Sequence, residues 1–311
     1  MIGASVLYDV PGPKAKARNR VYTVLGTLAV LALIAFAVLR LSAKGQLDPE
    51  VWNIFNNAGV RTSIRDGVLT TLQVFAVAAV LSLALGVLLA VARLSDHKPV
   101  RWFATGFVEL FRAVPLLITI YAVWVILLSN RDALGLSGSQ PQFWALVLGL
   151  TVYNGSVQAE VLRAGINSVP TGQREAAYAL GMSKTQVMTT VLIPQAVRAM
   201  LPTIISQLVV TLKDTSLGYI ITFEELLFTA RQMSTNIIVN GNDTYVPVII
   251  VVGSIYVAMC LALSALANWI ERRGRRAKTG IGVATAGEPV AATDAMEVSD
   301  AVPDGPVTKK G

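Results

Sequence analysis

The sequence is poor in the side chains from which catalytic and metal sites are commonly built. Among its 311 residues it holds one cysteine, Cys260, and one histidine, His97. A single thiol forms no disulfide within the chain, and one isolated imidazole provides no cluster of metal ligands, so both are expected to be structural. No nucleophile stands beside a candidate general base either. These absences argue against an enzyme and against a resident metal.

Charge is also scarce. Charged residues make up 14% of the chain and hydrophobic residues 54%, and the mean hydropathy is +0.59. This composition is typical of integral membrane proteins. The net charge of +7 comes from short basic clusters beside apolar runs, without the interleaved aromatics of a nucleic-acid surface. We therefore expect membrane lipid, and no nucleic acid, around this chain.

Six apolar runs are long enough, at about 20 residues each, to cross a membrane as helices. They cover residues 21–41, 68–94, 103–128, 143–164, 194–221 and 245–270. Most flanking Lys and Arg fall on one side if both termini are cytoplasmic, which is the side where basic residues are retained. The sequence thus predicts an all-α, multi-pass protein of the cell membrane with both termini in the cytoplasm.

The first run allows two interpretations, because a basic stretch followed by an apolar run also begins secretory signals. Residues 35–37, Ala-Phe-Ala, faintly resemble a cleavage site. The run is longer than the about 7 to 15 residues usual for such a signal, so a retained anchor is favoured. At the other end, the sequence beyond residue 278 has no hydrophobic periodicity and is expected to be disordered.

Other features within and between the runs predict local structure. Pro115 and Pro202 fall inside apolar runs, where each removes a backbone hydrogen bond and can kink a helix. Residues 223–233, which include Arg231, are expected to form a short amphipathic helix at the outer surface.

A polar, helix-forming segment, residues 168–195, separates the fourth and fifth runs and is called the elbow below. A first helix is predicted to start near Pro170 and to continue through strong helix formers at residues 175–180. Gly181 then supplies a left-handed residue of the kind that commonly follows a helix end. The topology places this segment in the cytoplasm.

A second elbow helix is predicted to begin at once. Ser183, with Gln186 three residues on, fits a capping box. Pro194 suits the first turn of the following membrane helix, where a missing N–H costs nothing. From the residues alone, this helix-turn-helix either caps the bundle or binds a partner.

The chain contains five short sequence motifs, one of them in the elbow. They are GVLTTL at 67–72, ELFRAVPLL at 109–117, QAEVLRAG at 158–165, VPTGQREAA at 169–177 and KDTSL at 213–217. In this order they resemble the permeases of polar amino-acid ABC importers, the histidine/glutamate type, over roughly residues 65–270. The opening VLYDVPGPK at 6–14 is similar to actinobacterial glutamate-importer permeases.

This resemblance implies a type I ABC-importer permease, a helix bundle with about six transmembrane helices and a cytoplasmic coupling loop. Residues 65–271 would form the permease domain, and residues 21–64 an additional helix and outer loop. Residues 1–20 and 272–311 would be cytoplasmic ends, the latter basic and then disordered. The implied function is import of glutamate or another polar amino acid, driven by ATP.

The resemblance also implies the partners. These are a cytoplasmic ABC ATPase dimer, a second permease that is a homologue or another copy, and an extracytoplasmic amino-acid-binding protein. The dipeptide Gly-Lys does not occur in the chain, so a G-x-x-x-x-G-K-[ST] phosphate loop is missing. ATP and Mg²⁺ are accordingly expected on the partner ATPase, with no cofactor in this chain.

In the resembling family the elbow forms coupling helices that lie in a groove of the ATPase. The implied coupling residues are Glu175, Ala176, Ala177, Gly181, Ser183 and Pro194. A stiff elbow would move with the ATPase and tilt the membrane helices.

Polar residues inside the apolar runs are candidates for the substrate pathway, because burying them in a membrane is costly. They are Glu109, Arg112, Glu160, Arg163, Lys213, Asp214, Thr215 and Ser216. The first four form two pairs spaced three apart, for which local ion pairing is favoured over substrate contact. For residues 213–216, pathway lining and helix-end anchoring remain open.

One rival function remains on these residues. A self-sufficient, ion-coupled transporter or channel would use Glu109, Glu160 and Asp214 as proton or sodium sites. It would take up substrate by itself along an ion gradient, with no role for the elbow.

Overall fold

The computed structural model describes residues 12–276, and the side chains of residues 12–269. The helices are α1 (Pro13–Ala43), α2 (Pro49–Trp52), α3 (Ala58–Arg93), α4 (Lys98–Ala113), α5 (Leu116–Ser129), α6 (Gln140–Ser168), α7 (Thr171–Ala179), α8 (Lys184–Gln186), α9 (Ile193–Asp214), α10 (Leu226–Asn236) and α11 (Tyr245–Arg276). Strands β1 (Ile238–Val239) and β2 (Asn242–Asp243) form an antiparallel hairpin. Two 3₁₀ turns (Asn53–Asn56 and Thr215–Ile221) and a π-helical turn (Val187–Leu192) complete the elements.

The centre of the bundle is α6, which packs against α3, α4, α5 and α9. One core lies where α6 meets α3 and α5, around Val74, Ile120, Leu146 and Leu150. A second lies where α6 meets α3 and α4, and includes Val108. Because α6 has neighbours on several sides, the polar residues in its middle are buried. They are Thr151, Asn154, Ser156 and Gln158.

Four helices in the described chain are long and apolar enough to cross a membrane, and the bent pair α4–α5 would make a fifth. Five of the six predicted runs correspond to these helices. The run at 143–164 lies within the 29-residue helix α6, which is not among them. Its polar interior lowers its hydropathy, and at about 1.5 Å per residue it is nevertheless long enough to span.

The run at 103–128 was predicted as one helix, and this prediction is wrong. Helices α4 and α5 meet at an angle of 103°. Val114 is extended, with φ −79° and ψ 129°, and Pro115 follows it. The proline ring disfavours helical backbone at the preceding residue and lacks the N–H that would continue the helix, so the chain turns instead of kinking slightly. Pro202, by contrast, lies inside α9.

The first predicted run is a helix of 31 residues, α1, and against the described part of the chain none of its side chains is buried. The segment that follows it is anchored more firmly. Gln46 Nε2 donates to the backbone oxygen of Asp243 at 3.0 Å, and Val51 and Ile54 are buried. The chain after α1 therefore packs on the β-hairpin end of the bundle. The predicted tail beyond residue 278 lies outside the described residues.

At that same end, helix α10 starts at Leu226 rather than at residue 223 as predicted. Glu225 is its N-cap, and its carboxylate accepts hydrogen bonds from the N–H groups of Leu227 and Phe228 at 2.9 and 2.8 Å. The carboxylate thus satisfies two free donors of the first turn, and its negative charge is favourable at the N-terminus of a helix.

Candidate functional site: the elbow and its charge network

The first half of the elbow folds as the sequence predicts. Helix α7 holds residues 175–177 and ends in a left-handed residue, Gly181, with φ +76°. The N–H of Met182 donates to the Ala177 oxygen at 3.2 Å, and the N–H of Gly181 donates to the Tyr178 oxygen at 2.9 Å. These two bonds form a Schellman motif, which fixes the direction in which the chain leaves the helix.

The second half begins with the predicted capping box. Ser183 Oγ accepts from the Gln186 N–H at 3.4 Å, and Gln186 Oε1 accepts from the Ser183 N–H at 2.8 Å. The helix that follows is longer than expected. It runs from Lys184 to Ile221 without a break, through the π-helical turn and α9.

The π-helical turn runs into α9 without a break. Pro194 lies in the first turn of α9, as predicted. Its ring would clash with the carbonyl of Thr190, four residues earlier, in an ordinary α-helix. The wider π-helical turn at Val187–Leu192 precedes it and gives the ring room. As a result, the second half of the elbow, from Lys184 onward, forms one continuous helical rod with α9.

A small apolar core stiffens the elbow. Ala177, Val187 and Leu192 are buried together, and Ile166 of α6 and Met182 of the turn pack against them. This core explains why Ala177 is buried whereas Glu175 and Ala176 are exposed.

The opposite surface of the elbow carries large apolar side chains in the open. Leu180 is 82% exposed and Tyr178 is also exposed, although both stand beside the turn. Sequence reasoning missed these two residues, since a short polar segment gives no periodic signal for an apolar contact surface. Their exposure makes them candidates for a contact with another protein.

An ion pair ties the elbow to the loop between α3 and α4. Lys184 Nζ donates to the carboxylate of Asp96, and it lies 3.5 Å from the backbone oxygen of Leu94. The hydrogen bond from Lys184 and its positive charge lower the pKa of Asp96 below its ordinary value. This contact joins residues 88 positions apart in the sequence, so local spacing could not predict it.

The two predicted ion pairs are present and belong to a larger network. Arg163 Nη2 lies 2.5 Å from Glu160 Oε1, and Arg112 Nη1 lies 3.9 Å from Glu109 Oε1. Arg93, at the end of α3, joins them: its Nη1 is 2.7 Å from Glu160 Oε2 and its Nη2 is 3.3 Å from Glu109 Oε1.

The side chain of Arg93 is 8% exposed, which makes it the most buried member of this charge network. It had been expected merely as a basic residue flanking a membrane helix. Instead it holds together the ends of α3, α4 and α6 on the side of the elbow.

The structure does not bring residues 213–216 to this network. They lie at the far end of α9, and their hydroxyls donate to their own backbone. Thr215 Oγ1 is 2.6 Å from the Leu212 oxygen and is fully buried, and Ser216 Oγ is 2.8 Å from the Lys213 oxygen. Lys213 is exposed and Asp214 is partly buried. The eight pathway candidates thus form two separate groups.

A polar stripe inside α6 was also missed. Thr151, Asn154 and Gln158 are buried at spacings of three and four residues, and thus lie on one face of the helix. Gln207 Nε2 of α9 donates to Asn154 Oδ1 at 2.8 Å. Within the described chain, the amide group of Gln158 has no hydrogen-bond partner. The spacing was the available signal, but among the polar residues of this run only the charged pair Glu160–Arg163 had been considered.

These features define a class of protein: a helical membrane subunit with a helix-turn-helix elbow that exposes apolar side chains and continues into a membrane helix. The chain belongs to the family of binding-protein-dependent transport system inner membrane components, whose family model matches residues 82–276. It is therefore a permease subunit of an ABC importer, a transport subunit and not an enzyme. This assignment displaces the self-sufficient ion-coupled transporter.

Known relatives are similar over most of the chain. The glutamate transport system permease protein GluD of Corynebacterium glutamicum is 42% identical over 244 residues, covering 78% of this chain and 86% of that protein. The glutamate/aspartate import permease protein GltK of Escherichia coli O6:H1 is 34% identical over 210 residues, covering 67% of this chain and 92% of that protein.

Two solved structures share the fold. The crystal structure of an amino acid ABC transporter with histidines aligns with a TM-score of 0.60 at 30% identity, covering 68% of this chain and 94% of that one. The inward-facing MetNI methionine ABC transporter aligns with a TM-score of 0.56 at 21% identity, covering 70% of this chain and 98% of the aligned chain. This second likeness supports the fold alone. The predicted type I permease bundle is confirmed.

Proposed function

We propose that this chain is one permease of a pair that imports glutamate or a closely related acidic amino acid. The choice of glutamate as the substrate rests on the 42% identity to a glutamate permease over 78% of the chain. A second relative is named for import of glutamate and aspartate. The pair consists of this chain and a homologous permease.

In this proposal the elbow faces the cytoplasm and binds the ABC ATPase, which holds ATP and Mg²⁺. Glu175, Ala176, Tyr178 and Leu180 offer an exposed contact surface. The Gly181 turn and the Ser183 capping box keep that surface at a fixed angle to the long helix behind it. Closing of the ATPases then tilts α9 as a rigid lever, and an extracytoplasmic binding protein delivers the amino acid to the other face.

The two groups of pathway candidates receive different roles. The pairs Glu109–Arg112 and Glu160–Arg163 hold helix ends through Arg93, because each carboxylate already has a basic partner. Lys213 and Asp214 remain candidates for substrate contact, since Lys213 is exposed and Asp214 is within reach of solvent. Thr215 and Ser216 shape the turn that ends α9.

Uptake of labelled amino acids into proteoliposomes tests the proposal. The vesicles contain this chain, its partner permease, the ATPase and the binding protein, with ATP enclosed. Glutamate should be accumulated in an ATP-dependent way, and unlabelled aspartate should compete better than arginine or glutamine. ATP-dependent uptake of a basic or neutral amino acid instead would reject the substrate while keeping the importer. Uptake without ATP would reject both.

A further inference from the structure

Helix α4 follows an unusual course for a segment that starts a membrane crossing. It begins at Lys98, with four residues between it and Arg93, the last residue of α3. Had it turned back along α3, Glu109 would lie about 16 Å up the bundle from Lys98 at 1.5 Å per residue. Instead Glu109 still contacts Arg93, at 3.3 Å. Helix α4 therefore lies across the elbow side of the bundle, and α5 leaves it at 103°.

One side of α4 is packed against the bundle, through the buried residues Ala104 and Val108. An apolar flank borders this packed side. Phe103, Phe107 and Leu110 are spaced four and three apart, and the rings of Phe103 and Phe107 lie 6.4 Å apart between centroids. Phe103 is 69% exposed, and Leu110 is exposed as well.

A charged stripe occupies the other flank of α4. Lys98, Arg101, Glu109 and Arg112 share one face of the helix, because separations of 3, 11 and 14 residues place them within about 80° of one another around the axis. Arg93 contacts the carboxylate of Glu109, so the stripe is left with a surplus of positive charge. Trp102, 82% exposed, stands between the two flanks and opposite the packed side.

We propose that α4 is an interfacial helix whose basic flank binds the headgroups of anionic phospholipids. The apolar flank then lies in the leaflet on the elbow side, and Trp102 lies at headgroup level. A helix with aromatic residues on one flank and Lys and Arg on the other has the chemistry of such a surface. The proposal goes beyond the amino-acid import proposed above, because it concerns lipid binding at a surface outside the substrate pathway.

This contact would steady the bend between α4 and α5. The end of α4 is bonded through Glu109 to Arg93, and hence to Glu160 on α6. Headgroups bound along Lys98 and Arg101 would hold α4 in the membrane plane and preserve that connection. Anionic lipid is accordingly expected to raise ATP-driven transport.

A first experiment tests the location without relying on transport. The assembled complex is placed in bilayers that contain brominated phosphatidylcholine, and tryptophan emission is compared between wild type and Trp102→Phe. The difference between the two spectra is the emission of Trp102. Bromine should strongly quench this emission in the wild type. If that component is not quenched, a neighbouring protein covers the face and the proposal is wrong.

A second experiment tests the headgroup charge. Uptake is measured in vesicles of phosphatidylcholine with increasing phosphatidylglycerol, for wild type and for Lys98→Gln with Arg101→Gln. A matched control, Lys44→Gln with Arg131→Gln, removes the same charge from exposed loops elsewhere. Each basic residue near an anionic surface contributes about fivefold to the affinity, so the loss of two should raise the amount of anionic lipid needed for half-maximal stimulation about 25-fold.

The control should respond as the wild type does. A wild type that ignores phosphatidylglycerol, or an α4 variant that responds like the wild type, overturns the proposal. Should the double variant fail to assemble, the bromine measurement on Trp102 still decides. Failure of either test leaves the assignment as an amino-acid importer untouched.

Discussion

The two ends of the bundle are held together by different kinds of contact. At the elbow end, five charged side chains from α3, α4 and α6 share ion pairs between 2.5 and 3.9 Å, and several of them are partly exposed. At the opposite end one carboxylate, Glu225, is fully buried. It accepts from the Tyr256 hydroxyl at 2.6 Å and from two backbone N–H groups of α10.

This difference suggests that the two ends serve different tasks. A buried carboxylate with every contact satisfied is costly to disturb, because an unpaired polar group in an apolar interior loses its solvation without compensation. Partly exposed ion pairs are individually weak and can exchange partners. The elbow end is thus suited to rearrange during transport, whereas the Glu225 end is suited to keep α10 fixed to α11.

The largest effect is expected at the buried end. Glu225→Ala removes the cap of α10 and the carboxylate that accepts from the Tyr256 hydroxyl, which should cost about 3 kcal/mol of stability. The matched control Glu224→Ala removes the neighbouring carboxylate, which is exposed. Thermal unfolding of the purified complex measures both. Equal melting temperatures for the two variants would show that the contrast between the ends is mistaken.

The next effect is expected at Arg93, where the elbow end is most buried. Arg93→Met keeps the aliphatic stem but leaves Glu109 and Glu160 without their shared partner, at a cost of about 2 kcal/mol. Arg112→Met is the control, because its ion pair is longer and more exposed and should matter by less than about 0.5 kcal/mol. Both are measured by thermal unfolding and by uptake. If the two substitutions cost the same, Arg93 is not the centre of the network.

A smaller effect on stability and a larger one on transport are expected at Gly181. Gly181→Val forces a β-branched residue into a left-handed conformation, at about 1–2 kcal/mol. Gly181→Asn is the control, since asparagine tolerates this conformation. No other described atom lies within 4 Å of the position of an added Cβ, so a clash within the chain does not confuse the comparison. Uptake should fall with Val while ATP hydrolysis continues, and should largely persist with Asn.

Identical losses of uptake with Val and Asn would point to a surface contact rather than to the conformation of the turn. In that case the elbow would still bind a partner, but its stiffness would not depend on Gly181.

Features set by neighbouring residues could be predicted from the sequence, whereas contacts between distant residues could not. The Gly181 turn and the Ser183 capping box are set by residues within four positions of one another, so their patterns were sufficient. Arg93 contacts residues 16 and 67 positions away, and no local spacing contains that information. Glu225 was missed as a cap because the helix was predicted to begin at residue 223, which placed Glu225 inside it rather than in front of it.

Proline positions were informative but ambiguous. Pro115 and Pro202 both lie in apolar runs, yet the first ends a helix at a sharp bend and the second stays within α9. The outcome depends on whether neighbouring helices hold the chain straight, which is a tertiary property. The helix that continues through Pro194 likewise could not be predicted from the proline alone. It depends on the wider π-helical turn before Pro194, which leaves room for the proline ring.

The smallest effect on stability, and a specific one on coupling, is expected for the tie between Asp96 and Lys184. Their side chains are 75% and 45% exposed, so the pair should add little to folding. It nevertheless joins the elbow to the loop that leads into α4. Asp96→Asn should therefore lower the amount of amino acid imported per ATP hydrolysed more than it lowers ATP hydrolysis itself.

The pH dependence of this tie follows from the sign of the shift. The pKa of Asp96 is lowered in the folded chain, so its contribution is complete above the ordinary pKa of about 4 and is lost as the pH falls through the lowered value. Coupling should accordingly be flat near neutral pH and should weaken with added salt, which screens exposed charges. Exchanging the two charges, with Asp96→Lys and Lys184→Asp together, should restore part of the coupling lost in Asp96→Asn. If the exchanged pair couples no better than the single variant, Asp96 acts through the shape of its loop and not through its charge.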